Sequence, residues 1–526
     1  MDVEDASNIH LNISATPERA FLSEKVPQSV ADSEGRMAYS LDETTPVIST
    51  EQVQIRNRWL YLAVFSAVLG NFNFGFALVY PSPVIPQLSR SNDPRLQMDT
   101  HQTSWFGSIF SLGAAVGGFS AMLLIDRVGR KLSIMMSAVP SVVGLLVMGA
   151  AQEVWMLLLG RFLTGIAGGI TVSTIPVYVS EISHPSVRGA LGSCPQITAV
   201  FGSLALYALG LVFQWRWLAV IGEVPAVVML VLLCFMPSSP RYLITHGKNE
   251  EARQALKWLR GPDSDYLNEF NQIERSIQSQ AEFQWRELRN PFYYKPILIS
   301  IFMGFFQQIT GVTPILVYLE PIFQRTAISL DPKYSAALVG LVRLFSVSIA
   351  ASLMDKAGRK ALLFTSGFLM YLSMLSMTMY THKTPCPIVN LTSVPEDLLK
   401  GAYGASVFDP ITLIPLISTI VIIFGYAVGW GPIAWLMMSE ILPLCARGVV
   451  SGLSVVVSWI TSFALTQLFM QVVVAYGLFV PFLFFCVVCV VAIIFTAKCV
   501  PETKGRTLEE IENYFRTGRS FTINEA

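Results

Sequence analysis

Charge is what this chain of 526 residues has little of. Only 14% of it is Asp, Glu, Lys or Arg, against about 25% in ordinary soluble domains. The 36 basic and 36 acidic residues cancel, which excludes a nucleic-acid binder held by bulk positive charge. His and Cys are sparse, at 5 and 7, and no His, Cys or carboxylate cluster has metal-ligand spacing, so neither metal nor cofactor is expected. Cys486 and Cys489 fall in an apolar run and read as small core residues. No nucleophile–base pair or phosphate-cradling loop points to an enzyme. The first 58 residues lack an apolar core with basic flanks, so no cleavable signal peptide is expected.

What fills the chain is apolar: 53% of residues, with a mean hydropathy of +0.53. A membrane-crossing helix needs about 20 such residues. Uncharged runs of that order cover Trp59–Ser89, Gln102–Ile125, Leu132–Gln152, Phe162–Ser180, Gly189–Trp215, Pro296–Leu319, Ala361–His382, Pro410–Ser439 and Gly448–Ala497. The last is long enough for two spans, with a turn expected near Tyr476-Gly477. Two more runs, 217–236 and 334–354, are each broken by one charge, Glu223 and Arg343. The fold class is therefore an all-α polytopic membrane protein with twelve transmembrane helices in two six-helix bundles. The expected organisation is a disordered cytosolic tail (1–58), a bundle (59–236), a linker with short helices (237–295), a second bundle (296–497) and a cytosolic tail (498–526).

Lys and Arg set the orientation. With both termini in the cytosol, inner loops and tails hold 27 of the 36 basic residues, outer loops hold 7, and Arg161 and Arg343 lie within spans. Asn390-Leu391-Thr392 then falls in the long outer loop as a glycosylation sequon. Cys386 is the one cysteine expected outside, which excludes an intramolecular disulfide there.

The two halves repeat each other. Asp126-Arg127-Val128-Gly129-Arg130-Lys131 follows the second span, and Asp355-Lys356-Ala357-Gly358-Arg359-Lys360 follows the eighth. Glu181 precedes Arg188-Gly189 after the fourth span, as Glu440 precedes Arg447-Gly448 after the tenth. Gly permits a tight turn, and Arg and carboxylate pair across helix ends. The pattern predicts two cytoplasmic charge clamps, one per half, because the positive-inside rule alone needs no carboxylates.

With these motifs the chain resembles the sugar porters of the major facilitator superfamily, and among them the third class of facilitative glucose transporters. Gly160-Arg161, Pro237-Ser238-Ser239-Pro240-Arg241, Gln307-Gln308, Gly431-Pro432-Ile433-Ala434-Trp435 and Pro501-Glu502-Thr503-Lys504-Gly505 carry the rest of the resemblance. It implies alternating access by two rocking bundles around a midplane sugar site. Gln196, Gln307 and Gln308 match sugar-contacting amides, Trp435 a stacking tryptophan, and Tyr318 a gate aromatic. Helix breaks near Gly311–Pro314 and Gly429–Pro432 put Pro314, Gly431 and Pro432 in gating elements. Three positions that usually hold an Asn hold Thr313, Arg343 and Ser458 instead, and one that usually holds a Glu holds Ala427.

An Arg near mid-span costs about 2.5–3.5 kcal/mol on insertion scales, so Arg343 is expected to line the cavity. Arg161 and Glu223 are expected to neutralise each other as a buried pair. Proton-driven relatives carry an Asp just after a Phe-Gly-Tyr turn in the first span. Here the segment reads Asn73-Phe74-Gly75-Phe76-Ala77, which predicts uniport of a hexose, with sugar and membrane lipid as partners and no obligate protein partner implied. The alternatives are another solute, such as an anionic sugar derivative or polyol, or a non-transporting sugar sensor. The resemblance suits a plasma-membrane or endosomal–lysosomal location.

Overall fold

The computed structural model describes residues 58–91, 93–184, 187–262, 264–278, 291–326, 328, 330–384, 410–442, 447–504, 506, 510–511 and 514–515. The N-terminal tail, Cys386, the sequon at Asn390 and the side chains of Asp355 and Arg447 lie outside the described residues.

Among the described residues twelve helices are long and apolar enough to cross a membrane, as the uncharged runs predict. The first half comprises α1 (Arg58–Val79), α2 (Pro81–Ser89), α3 (Thr100–Arg127), α4 (Arg130–Gly149), α5 (Val154–Ile182), α6 (Arg188–Leu209) and α7 (Trp215–Cys234). The second comprises α11 (Pro291–Ile309), α12 (Val312–Val317), α13 (Leu319–Arg325), α14 (Pro332–Ala357), α15 (Arg359–Lys383), α16 (Ile414–Val428), α17 (Trp430–Ile441), α18 (Arg447–Tyr476) and α19 (Phe479–Cys499). Even the 20-residue α4 is about 30 Å long, the thickness of a hydrocarbon core. Phe65, Phe119, Val139 and Leu146 stand exposed on these helices, on faces that lipid rather than water suits.

Local sequence explains where helices begin and stop. Asp99 and Gln102 form a reciprocal capping box that starts α3. Gly129 and Gly358, both at φ +93, precede α4 and α15 and supply the turns of the repeated motif. Pro81 cannot donate to the Ala77 carbonyl, so the first span divides into α1 and α2; the sequence reading did not foresee that break. The foreseen breaks are present: Gly311 at φ +85 separates α11 from α12, and Gly429 separates α16 from α17. The last run turns at Gly477, φ +81.

Three short helices join the halves: α8 (Pro240–Thr245), α9 (Asn249–Arg260) and α10 (Tyr266–Gln278). Leu243, Ile244, Ala252, Ala255, Leu256 and Phe270 form their small core. Arg260, almost fully buried, donates to both Glu269 oxygens (2.8 and 2.6 Å) and to the Ile182 carbonyl (3.0 Å), which fastens α9 and α10 to the end of α5. This side of the molecule is the linker end; the opposite side is the far end.

Candidate functional site

Polar groups inside such bundles are costly and mark function. Three groups of them, among the described residues, bear on the candidate site and its gating.

The first is a seal between the bundles in their far halves. The Tyr318 hydroxyl, at the break between α12 and α13, reaches the carbonyls of Thr103 (3.4 Å) and Ser104 (3.3 Å) on α3. Ser104 and Ser108 donate to the Gln467 carbonyl and carboxamide oxygen on α18, each at 2.5 Å. The Tyr207 hydroxyl of α6 donates to the Leu316 carbonyl of α12 (2.9 Å), and the Glu320 backbone N–H donates to the Ser82 hydroxyl of α2 (3.0 Å). Tyr318, Phe469 and Phe485 stack in sequence behind these bonds. Arg343 of α14, 9% exposed, donates from Nη1 to the Ser203 hydroxyl of α6 at 3.4 Å. The Tyr207 and Tyr426 side chains are its electrostatic neighbours. At the linker end, by contrast, Gly189 and Gly192 on the first turns of α6 face open space.

The second place is the broken-helix region of the second bundle. Gln307 donates from Nε2 to the carbonyls of Trp430 (3.2 Å) and Gly431 (2.8 Å) in the first turn of α17, just past the break. Its carboxamide oxygen is buried without a partner. Gln308 accepts from the Thr313 hydroxyl at 2.8 Å, across the Gly311 break. The Ser458 hydroxyl is fully buried and unpartnered beside Gly304, one turn before Gln308. Trp435 is half-buried against the main core, and Gln196 on α6 is half-buried too. Pro314 is buried and its carbonyl accepts from the Tyr318 N–H. Gly431 and Pro432 begin α17. The structure thus gathers Gln307, Gln308, Thr313, Ser458, Gly431 and Pro432 in the second bundle, with Gln196 on the first. Ala427 packs with Val200 and Val347 in an apolar contact between the bundles.

The third place holds the two clamps. Arg130 meets Glu181 at 3.0 Å and, more loosely, Asp126 at 3.7 Å. The Ser239 hydroxyl donates to the same Glu181 carboxylate, at Oε2 (2.5 Å). In the second half Arg359 meets Glu440 at 3.3 Å and the Thr503 hydroxyl donates to Glu440 at 2.6 Å. Glu502 accepts from the Arg359 and Lys360 backbone N–H groups (2.9 and 3.0 Å), capping α15. Two expected clamp members sit differently. The Arg127 side chain is exposed and contributes its carbonyl to the Tyr242 hydroxyl, because Gly129 turns the chain away. Arg188 donates to the Ser183 carbonyl, an unsatisfied acceptor at the end of α5.

The expected Arg161–Glu223 pair is not formed. Arg161, fully buried, donates to the carbonyls of Ala77, Phe106 and Leu78 and lies over the Phe106 and Phe110 rings. Pro81 denies the Ala77 carbonyl its helical donor, and the carbonyl accepts instead from the Tyr80 N–H (3.3 Å) and the guanidinium. Both Glu223 oxygens are buried without a hydrogen-bond partner.

A family model described as "Sugar (and other) transporter" matches residues 62–515.

The chain belongs to the sugar transporter family. Among its relatives, solute carrier family 2, facilitated glucose transporter member 6 of Homo sapiens is 56% identical, covering 88% of this chain and 93% of that protein. Member 8 of Mus musculus is 40% identical, covering 90% and 98%. A facilitated trehalose transporter Tret1 of Apis mellifera ligustica is 34% identical, covering 86% and 88%. The proton:xylose symporter XylE bound to 6-bromo-6-deoxy-D-glucose aligns with a TM-score of 0.70 at 23% identity, covering 87% of this chain and 99% of that one. That likeness establishes the major facilitator fold.

Sequence reasoning missed Ser203, Tyr207 and Tyr426 around Arg343, and Ser82 and Gln467 in the seal; single hydroxyls and amides in apolar runs carry no pattern. Ser239 and Thr503 could have been found, since each sits in a quoted motif at the same place in its half.

Proposed function

We propose that this sugar transporter family member carries a hexose downhill across a membrane by alternating access, with its linker end in the cytosol. The observation that carries the reading is the buried Gln307–Gln308 pair between two helix breaks. It offers an unpaired amide oxygen and adjustable donors of the kind a polyhydroxylated solute needs. Gln196, Thr313, Ser458 and Trp435 complete the proposed contacts, and Tyr318, Pro314, Gly431 and Pro432 the moving elements. The far-end seal supports reading the conformation as the cytosol-facing one. Ala77 stands where proton-driven relatives have a carboxylate, and only its carbonyl meets Arg161; this supports uniport.

A second substrate class is favoured by Arg343. It is a buried cation that meets a neutral hydroxyl, so an anionic sugar such as a uronic acid is the competing solute. Purified protein in liposomes, given labelled glucose, a polyol and a uronic acid, tests both. Exchange of glucose, with no accumulation above equilibrium when an inward proton gradient is imposed, is the expected result. Exchange of the uronic acid alone would replace the hexose, and accumulation driven by the gradient would overturn uniport.

A further inference from the structure

We propose that Glu320 is a proton-binding site through which the solution at the far end controls the seal between the bundles.

Glu320 lies on α13, beyond Val317 where the seventh span ends. It is 2% exposed, and its backbone N–H is held by Ser82 of the opposite bundle. The carboxyl itself receives one weak contact, from Gln324 Nε2 at 3.5 Å. The elements packed around it offer little else. Neither α2 nor α12 carries an ionisable side chain. From α6 comes the neutral Tyr207, from the start of α14 come Asp331 and Lys333, and after α2 comes Arg90. Asp331 and Arg90 are exposed and Lys333 is half-buried, so water screens them. A carboxylate in this position would be desolvated without a paired cation, which favours the protonated form.

Burial pushes the Glu320 carboxyl from its ordinary 4.5 up to about 8, against the smaller opposing pull of Lys333 and Arg90. When the bundles part at the far end, water reaches the group and its ordinary acidity returns. The sealed state therefore binds more protons than the open one. Acid at the far end favours the seal; raising the pH through the window from about 4.5 to about 8 weakens it, by up to about tenfold per pH unit. The proton enters and leaves from the same side, so the site tunes the transporter without driving it.

The test reads conformation directly and needs no substrate. Spin labels are introduced by genetic-code expansion at Arg95 and Tyr334, exposed positions at the far ends of the two halves, and distances are measured on the full chain in nanodiscs at pH 5.5 and 7.5. The wild type should gain a longer-distance population at pH 7.5, and Glu320→Gln should keep its pH 5.5 distribution at both values. A wild type with the same distribution at both pH values overturns the proposal without any variant. So does a Glu320→Gln protein that responds like the wild type. If Glu320→Gln does not fold, Glu320→Met, neutral and of similar length, must be unresponsive in its place.

Discussion

Tyr318 of the second bundle rests its phenol on Gly107 of the first, so closely that a Cβ at position 107 would overlap the hydroxyl. The same hydroxyl reaches the Thr103 and Ser104 carbonyls. Gly107→Ala should therefore hold the far end open. One hydroxyl hydrogen bond, bifurcated between the two carbonyls and worth about 1 kcal/mol, is displaced, so the sealed population should fall by about fivefold or more. Tyr318→Phe loses that bond but keeps the stacking on Phe469 and should shift it less. Labelling of the far-end seal by a membrane-impermeant reagent checks both: faster in Gly107→Ala, intermediate in Tyr318→Phe, slowest in the wild type.

Adjacent glutamines should fail differently. Gln308 has one side-chain contact, Thr313, within its own bundle. Gln308→Ala should leave the folded protein intact and raise the half-saturating sugar concentration by roughly fivefold to thirtyfold, the worth of one or two hydrogen bonds. Gln307 instead holds two carbonyls at the α16–α17 break. Gln307→Ala removes two hydrogen bonds that tie α11 to the start of α17, worth about 1 kcal/mol each, and should lower the thermal midpoint as well as transport. Equal thermal midpoints for the two variants would contradict the assignment.

The spans, the repeat and the glycine breaks were legible because each rests on a local rule: uncharged length, spacing, or a residue that only one backbone conformation suits. Helix pairing was legible only where a motif announced it, as at Arg130–Glu181 and Arg359–Glu440. Arg161 shows the limit. Its apparent partner was chosen by charge, since Glu223 was the nearest opposite charge a sequence could offer. The actual partners are backbone carbonyls, one of them denied its helical donor by a proline four residues on, and no side-chain pattern records that. Ser203, Tyr207 and Ser82 are hidden for the same reason: they meet their partners across the bundle interface, between residues more than 100 apart in the chain.

The displaced pair gives a sharp energetic test. If Arg161 serves the carbonyls of Ala77, Phe106 and Leu78, then Arg161→Met should destabilise strongly, by about 1.5–3 kcal/mol for each charge-assisted hydrogen bond it removes. Lys, with a point charge and no planar fork, should not rescue it. Glu223→Gln should cost little, because no cation is lost. A double-mutant cycle on the thermal stability of the folded protein should give a coupling below about 0.5 kcal/mol. A coupling of several kcal/mol would restore the ion pair.

The two clamps are matched in a way that charge alone does not explain. Each glutamate is shared between an arginine and a hydroxyl that arrives from beyond its own bundle's last helix: Ser239 on Glu181, Thr503 on Glu440. Both hydroxyls are almost fully buried, and a bond to a charged acceptor is worth about 1.5–3 kcal/mol. Ser239→Ala and Thr503→Val should therefore each lower the thermal midpoint measurably, and by similar amounts. Asp126, whose side chain is 82% exposed and 3.7 Å from Arg130, belongs to the same sequence motif, yet Asp126→Asn should leave the midpoint unchanged, since water already screens that contact. If Asp126→Asn proved as costly as Ser239→Ala, the clamp would be the surface charge cluster that the motif suggests rather than the buried Arg–Glu–hydroxyl unit found in both halves.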